Sequence, residues 1–191
     1  MRDIKPIVLL FLVGALAAPL IARSNDAEAT LTFSTGATIT LPLASAKAAS
    51  ESTPTPNGLV AARSYLLDEN TILAVNEIAL SGETCENTIT GEWAQMQKNQ
   101  ANTDPNFKLL FRLNKLERQT VGESDAIYSE LDTRIPKEVR EGAAYHATAG
   151  YLLCQRDTLV NLMLWLKSGS LDRPLREHLI AIAKSLRAKP R

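Results

Sequence analysis

The chain has 191 residues, of which 45% are hydrophobic and 22% are charged, and its 21 basic residues balance its 21 acidic residues. This composition suits one folded domain and excludes an intrinsically disordered chain. Zero net charge provides no electrostatic footprint for binding nucleic acid. Two cysteines are too few for a cysteine-dense scaffold or a four-cysteine zinc site.

The N-terminal segment has the organisation of a secretory signal. Arg2 and Lys5 precede an uncharged, apolar run over residues 6–22, and the sequence AEA that ends at Ala29 has the form that signal peptidase accepts. We therefore predict a secretory signal peptide over residues 1–29, with earlier small residues as alternative cleavage points, and a periplasmic or secreted mature protein. The other interpretation is an uncleaved anchor, but the run is shorter than the roughly 20 apolar residues that a span needs. We expect no membrane span after cleavage.

The two cysteines predict a disulfide bond. Cys85 and Cys154 are the only thiols in the chain, and two lone cysteines of an exported protein usually pair. A bond between Cys85 and Cys154 would close the long loop between them, which should stabilise the fold by roughly 4 kcal/mol in the chain-entropy model. The alternative is a thiol nucleophile, which would need His146 or His178 nearby, since these are the only histidines.

The first half of the chain predicts two hairpins. Apolar residues alternate over residues 30–34 and 37–43 around a Thr-Gly turn, which is typical of paired strands. Residues 44–57 are small and polar with two prolines, so we expect an exposed connection there. Extended runs over residues 59–67 and 72–80 flank an Asp-Glu-Asn turn and predict a second hairpin.

The middle of the chain predicts a helix and a less defined segment. Four residues recur at helical spacing and form a thin apolar stripe that would lie on a sheet: Ile89, Trp93, Met96 and Gln100. Asn87 or Thr88 could cap the start of this helix. Residues 107–121 are compatible with a strand or a helix, residues 126–131 with a returning strand, and residues 132–142 with a loop.

The last part of the chain predicts two strands and a helix. Residues 143–154 read as extended, and residues 158–167 are so apolar that they predict a central strand covered on both faces. Asp172 can cap a helix that has Pro174 in its first turn. The apolar stripe of this helix consists of Leu175, Leu179, Ile182, Ala183 and Leu186. The side chains that we expect to be largely buried are Leu162, Leu164, Trp165, Leu179 and Ile182.

Strand pairs interrupted by two helices predict an α+β fold. We expect an antiparallel sheet built from hairpins, with two helices packed on it. The single domain would cover residues 30–187, and residues 188–191 would form a short basic tail.

This order of elements resembles the PsbP-like family. The shared features are an opening hairpin that ends in ITLP, a middle helix after two strands, and the strand TLVNLMLWLK followed by the helix REHLIAIAKSLR. The resemblance covers most of residues 30–187 and implies an antiparallel sheet sandwiched by helices. The closing IAIAKSLRAKP is similar in kind to the end of immunity proteins that protect against type VI secretion phospholipases. Neither resemblance supplies a catalytic motif that maps onto this chain.

Familiar catalytic and metal-binding motifs are absent from the sequence, including HExxH, CxxC, a P-loop and GxGxxG. The segment GESDA around Ser124 resembles G-x-S-x-G but lacks the final glycine and is predicted to form a turn. His146 could act as a base, although a histidine on the sheet surface is the simpler interpretation. Glu177 and His178 point about 100° apart on a helix and do not share a ligand face. We therefore predict no catalytic residue, metal site or cofactor.

Charge is unevenly distributed although the total is zero. Every charged residue from Asp68 to Glu92 is acidic, whereas basic residues predominate over residues 173–191. One interpretation is that these are ordinary solvated faces. The more specific interpretation is an acidic edge that steers a basic protein partner, formed by Glu83, Glu86 and Glu92.

These features together predict an exported, non-catalytic binding protein that recognises another exported protein. A concrete form is a periplasmic immunity protein that sequesters a secreted toxin. One alternative is a small exported hydrolase that uses His146 with Ser124 or a carboxylate, which would have to lie within hydrogen-bond reach. Another is an accessory subunit of an envelope or photosynthetic complex.

Overall fold

The computed structural model describes residues 29–41, 48–52, 59–80, 83–101, 111–133 and 145–189. The predicted signal peptide therefore lies outside the described residues, except for Ala29, which begins the first strand. Most of the predicted loop at residues 132–142 also lies outside them. Within the described ranges, no helix is long and apolar enough to cross a membrane.

The described residues form nine strands and two helices, which confirms the predicted α+β class. In chain order the elements are β1 (Ala29–Thr32), β2 (Thr38–Leu41), β3 (Ala48–Ser52), β4 (Leu59–Leu66), β5 (Thr71–Ile78), α1 (Cys85–Ala101), β6 (Phe111–Val121), β7 (Ser124–Thr133), β8 (Ala147–Gln155), β9 (Thr158–Leu166) and α2 (Arg173–Lys184).

Seven strands form one antiparallel sheet in the order β3-β4-β5-β9-β8-β7-β6, and β1 pairs with β2 in a separate ribbon. The strand β9 lies at the centre of the sheet, as its composition predicts. Its residues are buried on both faces, apart from the partly exposed Asn161 and Trp165. An apolar run without alternation forms such a strand because elements cover both sides of the sheet.

The two faces of the sheet have separate hydrophobic cores. One core contains α2 and the β1–β2 ribbon, and its fully buried members include Ile39, Leu41, Leu73, Leu153, Leu162, Leu164, Leu179, Ile182 and Leu186. The other core lies under α1 and is smaller, with Cys85, Ile89, Ile127, Leu152, Cys154 and Leu159 buried. The sheet is therefore sandwiched between α1 on one side and α2 with the ribbon on the other.

The helix α2 begins and packs as its sequence predicts. The Asp172 carboxylate accepts a hydrogen bond from the backbone N–H of Leu175 at 2.9 Å, and a proline occupies the first turn. At the other end, the Ser185 hydroxyl accepts from the Thr40 N–H at 2.8 Å and donates to the Thr40 carbonyl at 3.0 Å. The C-terminal end of α2 is thereby fastened to the β1–β2 ribbon.

Several local predictions differ from the structure. Residues 44–57 contain the strand β3, which pairs with β4; backbone pairing at a sheet edge does not require the apolar side chains that mark an inner strand. In the ambiguous segment at residues 107–121, the described part forms the strand β6 (Phe111–Val121), which pairs with β7, and residues 107–110 lie outside the described residues. Trp165 is partly exposed rather than buried, and its ring lies 4.7 Å from that of Tyr145.

Candidate functional site

The start of α1 is fixed to the sheet by a disulfide bond. Cys85, the first residue of the helix, is bonded to Cys154 near the end of β8, and their Cα atoms lie 5.6 Å apart. This confirms the predicted pairing, and such a bond is typical of a protein in an oxidising compartment. The Thr84 hydroxyl accepts from the N–H of Asn87 at 3.2 Å. Thr84 therefore caps this helix, and the predicted caps at Asn87 and Thr88 are wrong by one turn.

The three acidic residues of the predicted partner-binding edge occupy two different environments. Glu83 and Glu86 are exposed beside the first turn of α1. Glu92 lies farther along the helix, close to the side that carries Ile89 and Trp93, and is only partly exposed. Burial raises the pKa of the Glu92 carboxyl. The solvent-facing part of the edge therefore consists of Glu83 and Glu86.

A cation lies close to this edge. The Arg118 guanidinium on β6 binds the Asp125 carboxylate through two hydrogen bonds, at 2.6 and 3.2 Å, and also donates to the Thr90 hydroxyl of α1 at 3.3 Å. The hydrogen bonding to Asp125, with smaller contributions from the Asp125 and Glu86 charges, raises the pKa of Arg118. Arg118 is thus already paired with Asp125, and Glu86 lies near this ion pair, which the run of acidic residues from Asp68 to Glu92 did not reveal.

The structure does not bring together Ser124 and His146, the serine–histidine pair of the hydrolase hypothesis. Ser124 begins β7, and the backbone N–H of Thr133 at the end of β7 donates to the His146 carbonyl at 2.9 Å. Ser124 and His146 are thus separated by almost the whole of β7, roughly 30 Å at about 3.3 Å per residue. A serine–histidine pair between them is excluded, because proton transfer needs hydrogen-bond contact.

The second histidine is partly buried in α2. Burial lowers the pKa of His178, which favours its neutral form. Among the described residues, its Nε2 atom has no hydrogen-bond partner. Within the same ranges, no three His, Cys, Asp or Glu side chains come together as a metal-binding group.

A polar cleft that the sequence did not indicate lies where β6, β7 and β8 meet the start of α2. Arg176 binds both carboxylate oxygens of Glu130, with Nε–Oε1 at 2.8 Å and Nη2–Oε2 at 2.9 Å. The Tyr128 hydroxyl donates to Glu130 Oε1 at 2.5 Å. Glu130 is only 7% exposed. We call this cleft, lined in addition by Asn114, Asp132, Ser170 and Leu171, the Arg176 cleft.

The ionisation states in the Arg176 cleft follow from these contacts. The hydrogen bonds from Arg176 hold the pKa of Glu130 below its usual value, against the opposing effect of burial. Burial, together with the hydrogen bond to Glu130, raises the pKa of the Tyr128 hydroxyl. The hydrogen bonds that Arg176 itself donates to Glu130 raise the pKa of Arg176. A carboxylate, a guanidinium and a neutral phenol therefore coexist at neutral pH.

The sequence offered only part of a signal for this cleft. Tyr128 and Glu130 lie two residues apart in a strand, so they share a face of the sheet. Arg176 is 46 residues from Glu130 in the sequence. No sequence pattern predicts a contact between a strand residue and a helix residue that are so far apart in the chain. The docking of α2 on the sheet brings the pair together.

Comparisons with known proteins show a similarity of fold to a solved structure. No family model matches the chain, and no curated protein matches its sequence. Among solved structures, the chain is similar to the solution structure of cyanobacterial PsbP (CyanoP) from Synechocystis sp. PCC 6803, with 13% sequence identity and a TM-score of 0.56. The match covers 90% of this chain and 98% of that chain. At this identity the similarity concerns the fold, and the chain has a PsbP-like fold.

Proposed function

We propose that this chain is an exported protein that acts by binding another protein and catalyses no reaction. The observation that supports the proposal most directly is the placement of Glu83 and Glu86. Both are exposed beside a helix start that the Cys85–Cys154 bond fixes to the sheet. A charged surface that is held in place before binding loses little conformational freedom when a partner arrives.

The chemistry of this edge suits a basic partner. Carboxylates near a helix N-terminus are favoured by the positive end of the helix dipole. Complementary charge across an interface accelerates association and makes it sensitive to salt. Since Arg118 is already paired with Asp125, we assign the contact to Glu83 and Glu86 together. Glu92 would join the contact only if the partner covered the side of the helix.

The specific form of this proposal is a periplasmic immunity protein that sequesters a toxin delivered by type VI secretion. It is supported by the predicted signal peptide, by a disulfide-fixed domain and by the resemblance of the C-terminal residues to such proteins. In this form the partner is a toxin, and its activity should disappear when the two proteins are mixed in equal amounts.

The test compares two charge reversals of equal size. A partner is first captured from envelope extracts with the mature domain and identified, and its association rate is then measured at low and high salt. The double variant Glu83→Lys with Glu86→Lys should associate more slowly and with weaker salt dependence. The control is Asp68→Lys with Glu69→Lys, which alters two exposed acids in the β4–β5 turn, at the other end of the sheet from the start of α1. Equal rates for both double variants would contradict the acidic edge.

A second candidate function is an accessory subunit of an envelope or photosynthetic complex. The observation that favours it is the fold shared with cyanobacterial PsbP. Native electrophoresis of membrane extracts distinguishes the two functions. An accessory subunit should migrate with a large membrane complex, whereas an immunity protein should migrate alone or with one toxin.

A further inference from the structure

The helix α1 covers only part of its face of the sheet. It packs on β7 and β8, and within the described ranges no other helix lies on this face. Leu73, Val75 and Leu164 belong to the core under α2, so the residues that alternate with them on β5 and β9 lie on the α1 face. We call the half-buried or exposed side chains that β4, β5 and β9 carry on this face the open strip: Ala62, Ser64, Leu66, Ile72, Ala74, Asn76, Asn161 and Trp165.

The open strip is apolar at one end and has two amides near its middle. Leu66, Ile72 and Trp165 lie side by side on β4, β5 and β9, and Leu66 is 41% exposed. Asn76 lies directly opposite Asn161, and neither side-chain amide has a hydrogen-bond partner among the described residues. A row of apolar and aromatic side chains, beside polar groups that are free to form hydrogen bonds, is typical of a protein contact surface.

One carboxylate borders the open strip from α1. The Arg118 guanidinium of β6 donates to the Thr90 hydroxyl, so the flank of α1 that carries Thr90 faces β6. Glu92 follows two residues later, about 200° farther round the helix, and therefore lies on the flank that faces β9. In the described part of the chain, Glu92 forms no ion pair. Burial raises the pKa of its carboxyl, so a cation placed beside Glu92 would stabilise the charged form.

The described basic side chains do not offset the charge of Glu92 within the open strip, because the strip itself is uncharged. Arg63 of β4 lies on the opposite face of the sheet. Lys98 is exposed on α1 and points about 120° away from Glu92 around the helix axis. Lys167 follows β9 and is exposed beside the turn that carries the two acids at residues 68–69. A cation that approached Glu92 along the strip would therefore meet no opposing charge from these groups.

The open strip has the width and length of one helix. The helix α1 lies over β7 and β8, and β9 and β5 are the next two strands of the sheet. Two interstrand spacings of about 4.8 Å separate these pairs of strands by about 10 Å, which matches the separation of about 8–10 Å between the axes of packed helices. The 8 residues of β5 span about 26 Å, the length of roughly 17 helical residues. A helix over β9 and β5 would therefore contact both the sheet and α1.

We propose that the open strip receives an amphipathic helix of the protein partner, with apolar side chains on Ile72 and Trp165 and a basic side chain beside Glu92. This inference rests on the proposed function and specifies the structure that the partner presents. Glu83 and Glu86 lie at the start of α1, and the strip runs alongside the same helix, so a basic helix attracted to the acidic edge would lie next to the strip. An amphipathic helix laid into an apolar groove is a common mode of recognition, and pairing with a cation offsets the cost of burying the Glu92 charge.

The probe is an amphipathic peptide of that length, made of leucine and lysine with the leucines at helical spacing. It is titrated into the isotope-labelled mature domain and followed by NMR. We expect saturable shift changes at the side-chain N–H groups of Asn76, Asn161 and Trp165. The control peptide has the same composition in scrambled order, lacks an apolar face, and should affect only the exposed acidic residues. Equal shift changes at the three side chains with both peptides would overturn the proposal.

Ala74→Arg tests the position of the bound helix, because Ala74 is partly exposed in the middle of the strip. It should weaken binding of the amphipathic peptide about tenfold or more, since the helix would bury an unpaired charge. The matched control is Ala94→Arg, which adds the same charge on the exposed side of α1 and should bind as the unmodified domain does. Unchanged circular dichroism spectra establish that both variants are folded. Unchanged peptide binding by Ala74→Arg would contradict the proposal.

Glu92→Gln tests the charge next to the strip and should weaken binding of the amphipathic peptide about fivefold, as for the loss of a partly exposed ion pair. Ala74→Arg is then measured against the captured partner. If charge reversal at Glu83 and Glu86 slows association while Ala74→Arg leaves the affinity unchanged, the acidic edge is supported and the open strip is excluded. If no partner is captured, the proposed function fails, and the peptide titration still decides whether the strip binds a helix.

Discussion

The two helices are attached to the same sheet by different interactions. The helix α2 buries Leu179, Ile182 and Ala183 in the larger core, and its end is joined to the β1–β2 ribbon by hydrogen bonds. Within residues 85–98, the part of α1 whose burial is described, only Cys85 and Ile89 are buried, and Cys85 is covalently bonded to β8. Where the apolar contact is thin, a covalent bond holds the helix. This comparison predicts that the helices respond differently to substitution.

The largest effect is expected from removal of the disulfide. Cys85→Ala with Cys154→Ala should lower the free energy of unfolding by about 4 kcal/mol, because the bond closes a segment with a sequence separation of 69. Urea unfolding followed by circular dichroism measures the loss. The unmodified protein treated with reductant serves as the control and should lose as much. An unchanged unfolding midpoint in the double variant would show that packing alone holds α1.

The second-largest loss of stability is expected when a core side chain of α2 is truncated. Leu179→Ala should cost about 2–5 kcal/mol, since the side chain is fully buried between α2 and the sheet. The control on the same helix is Arg173→Ala, whose side chain is highly exposed and should cost little. Thermal unfolding of the two variants provides the comparison. Similar melting temperatures would mean that α2 is not docked as described.

The Glu130–Arg176 contact makes the attachment of α2 dependent on pH. Because the pKa of Glu130 is lowered in the folded state, its stabilisation is fully present above the unfolded pKa and is lost as pH falls through the folded value. Glu130→Gln should cost about 2 kcal/mol at pH 7, the typical size for a hydrogen bond to a charged group.

The pH dependence is measured by urea unfolding at neutral and acidic pH. The difference between the unmodified protein and Glu130→Gln should shrink as the solution becomes more acidic than the ordinary carboxyl pKa, which is 4.5. A difference that stayed constant into acid would show that the variant acts through packing rather than through the carboxylate charge.

The smallest effects are expected at the helix caps. Asp172→Ala removes the acceptor for the Leu175 N–H and should cost about 1 kcal/mol. Thr84→Ala removes the corresponding cap of α1 but should cost less, because the adjacent disulfide already holds the first turn in place. Chemical denaturation of both variants under oxidising conditions tests this order. A larger loss for Thr84→Ala would contradict the structural role given to the disulfide.

Several elements were predictable because their sequence contains a repeating physical signal. The last helix has a cap, a proline and a regular apolar stripe, and the structure has it at Arg173–Lys184. The central strand β9 was indicated by an apolar run with no polar face. β3 was missed because an edge strand can pair through its backbone while its side chains are small and polar.

The candidate sites were less predictable than the fold. The exposure of Glu83 and the partial burial of Glu92 depend on which side of α1 meets the sheet, and the thin apolar stripe of that helix defines the side weakly. For the Arg176 cleft, the sequence indicated only that Tyr128 and Glu130 share a strand face, because Glu130 and Arg176 belong to elements that meet only when α2 docks.

The sequence by itself determined the α+β class, the pairing of Cys85 with Cys154, the central strand and the amphipathic last helix. Periodicity, capping chemistry and cysteine count are local or compositional properties, so they can be read without a structure. Only the tertiary structure decided the sheet order, the separation of Ser124 from His146, the proximity of Arg118 to Glu86 and the ion pair of Glu130 with Arg176. These depend on which distant elements pack together, and packing is a property of the whole folded chain.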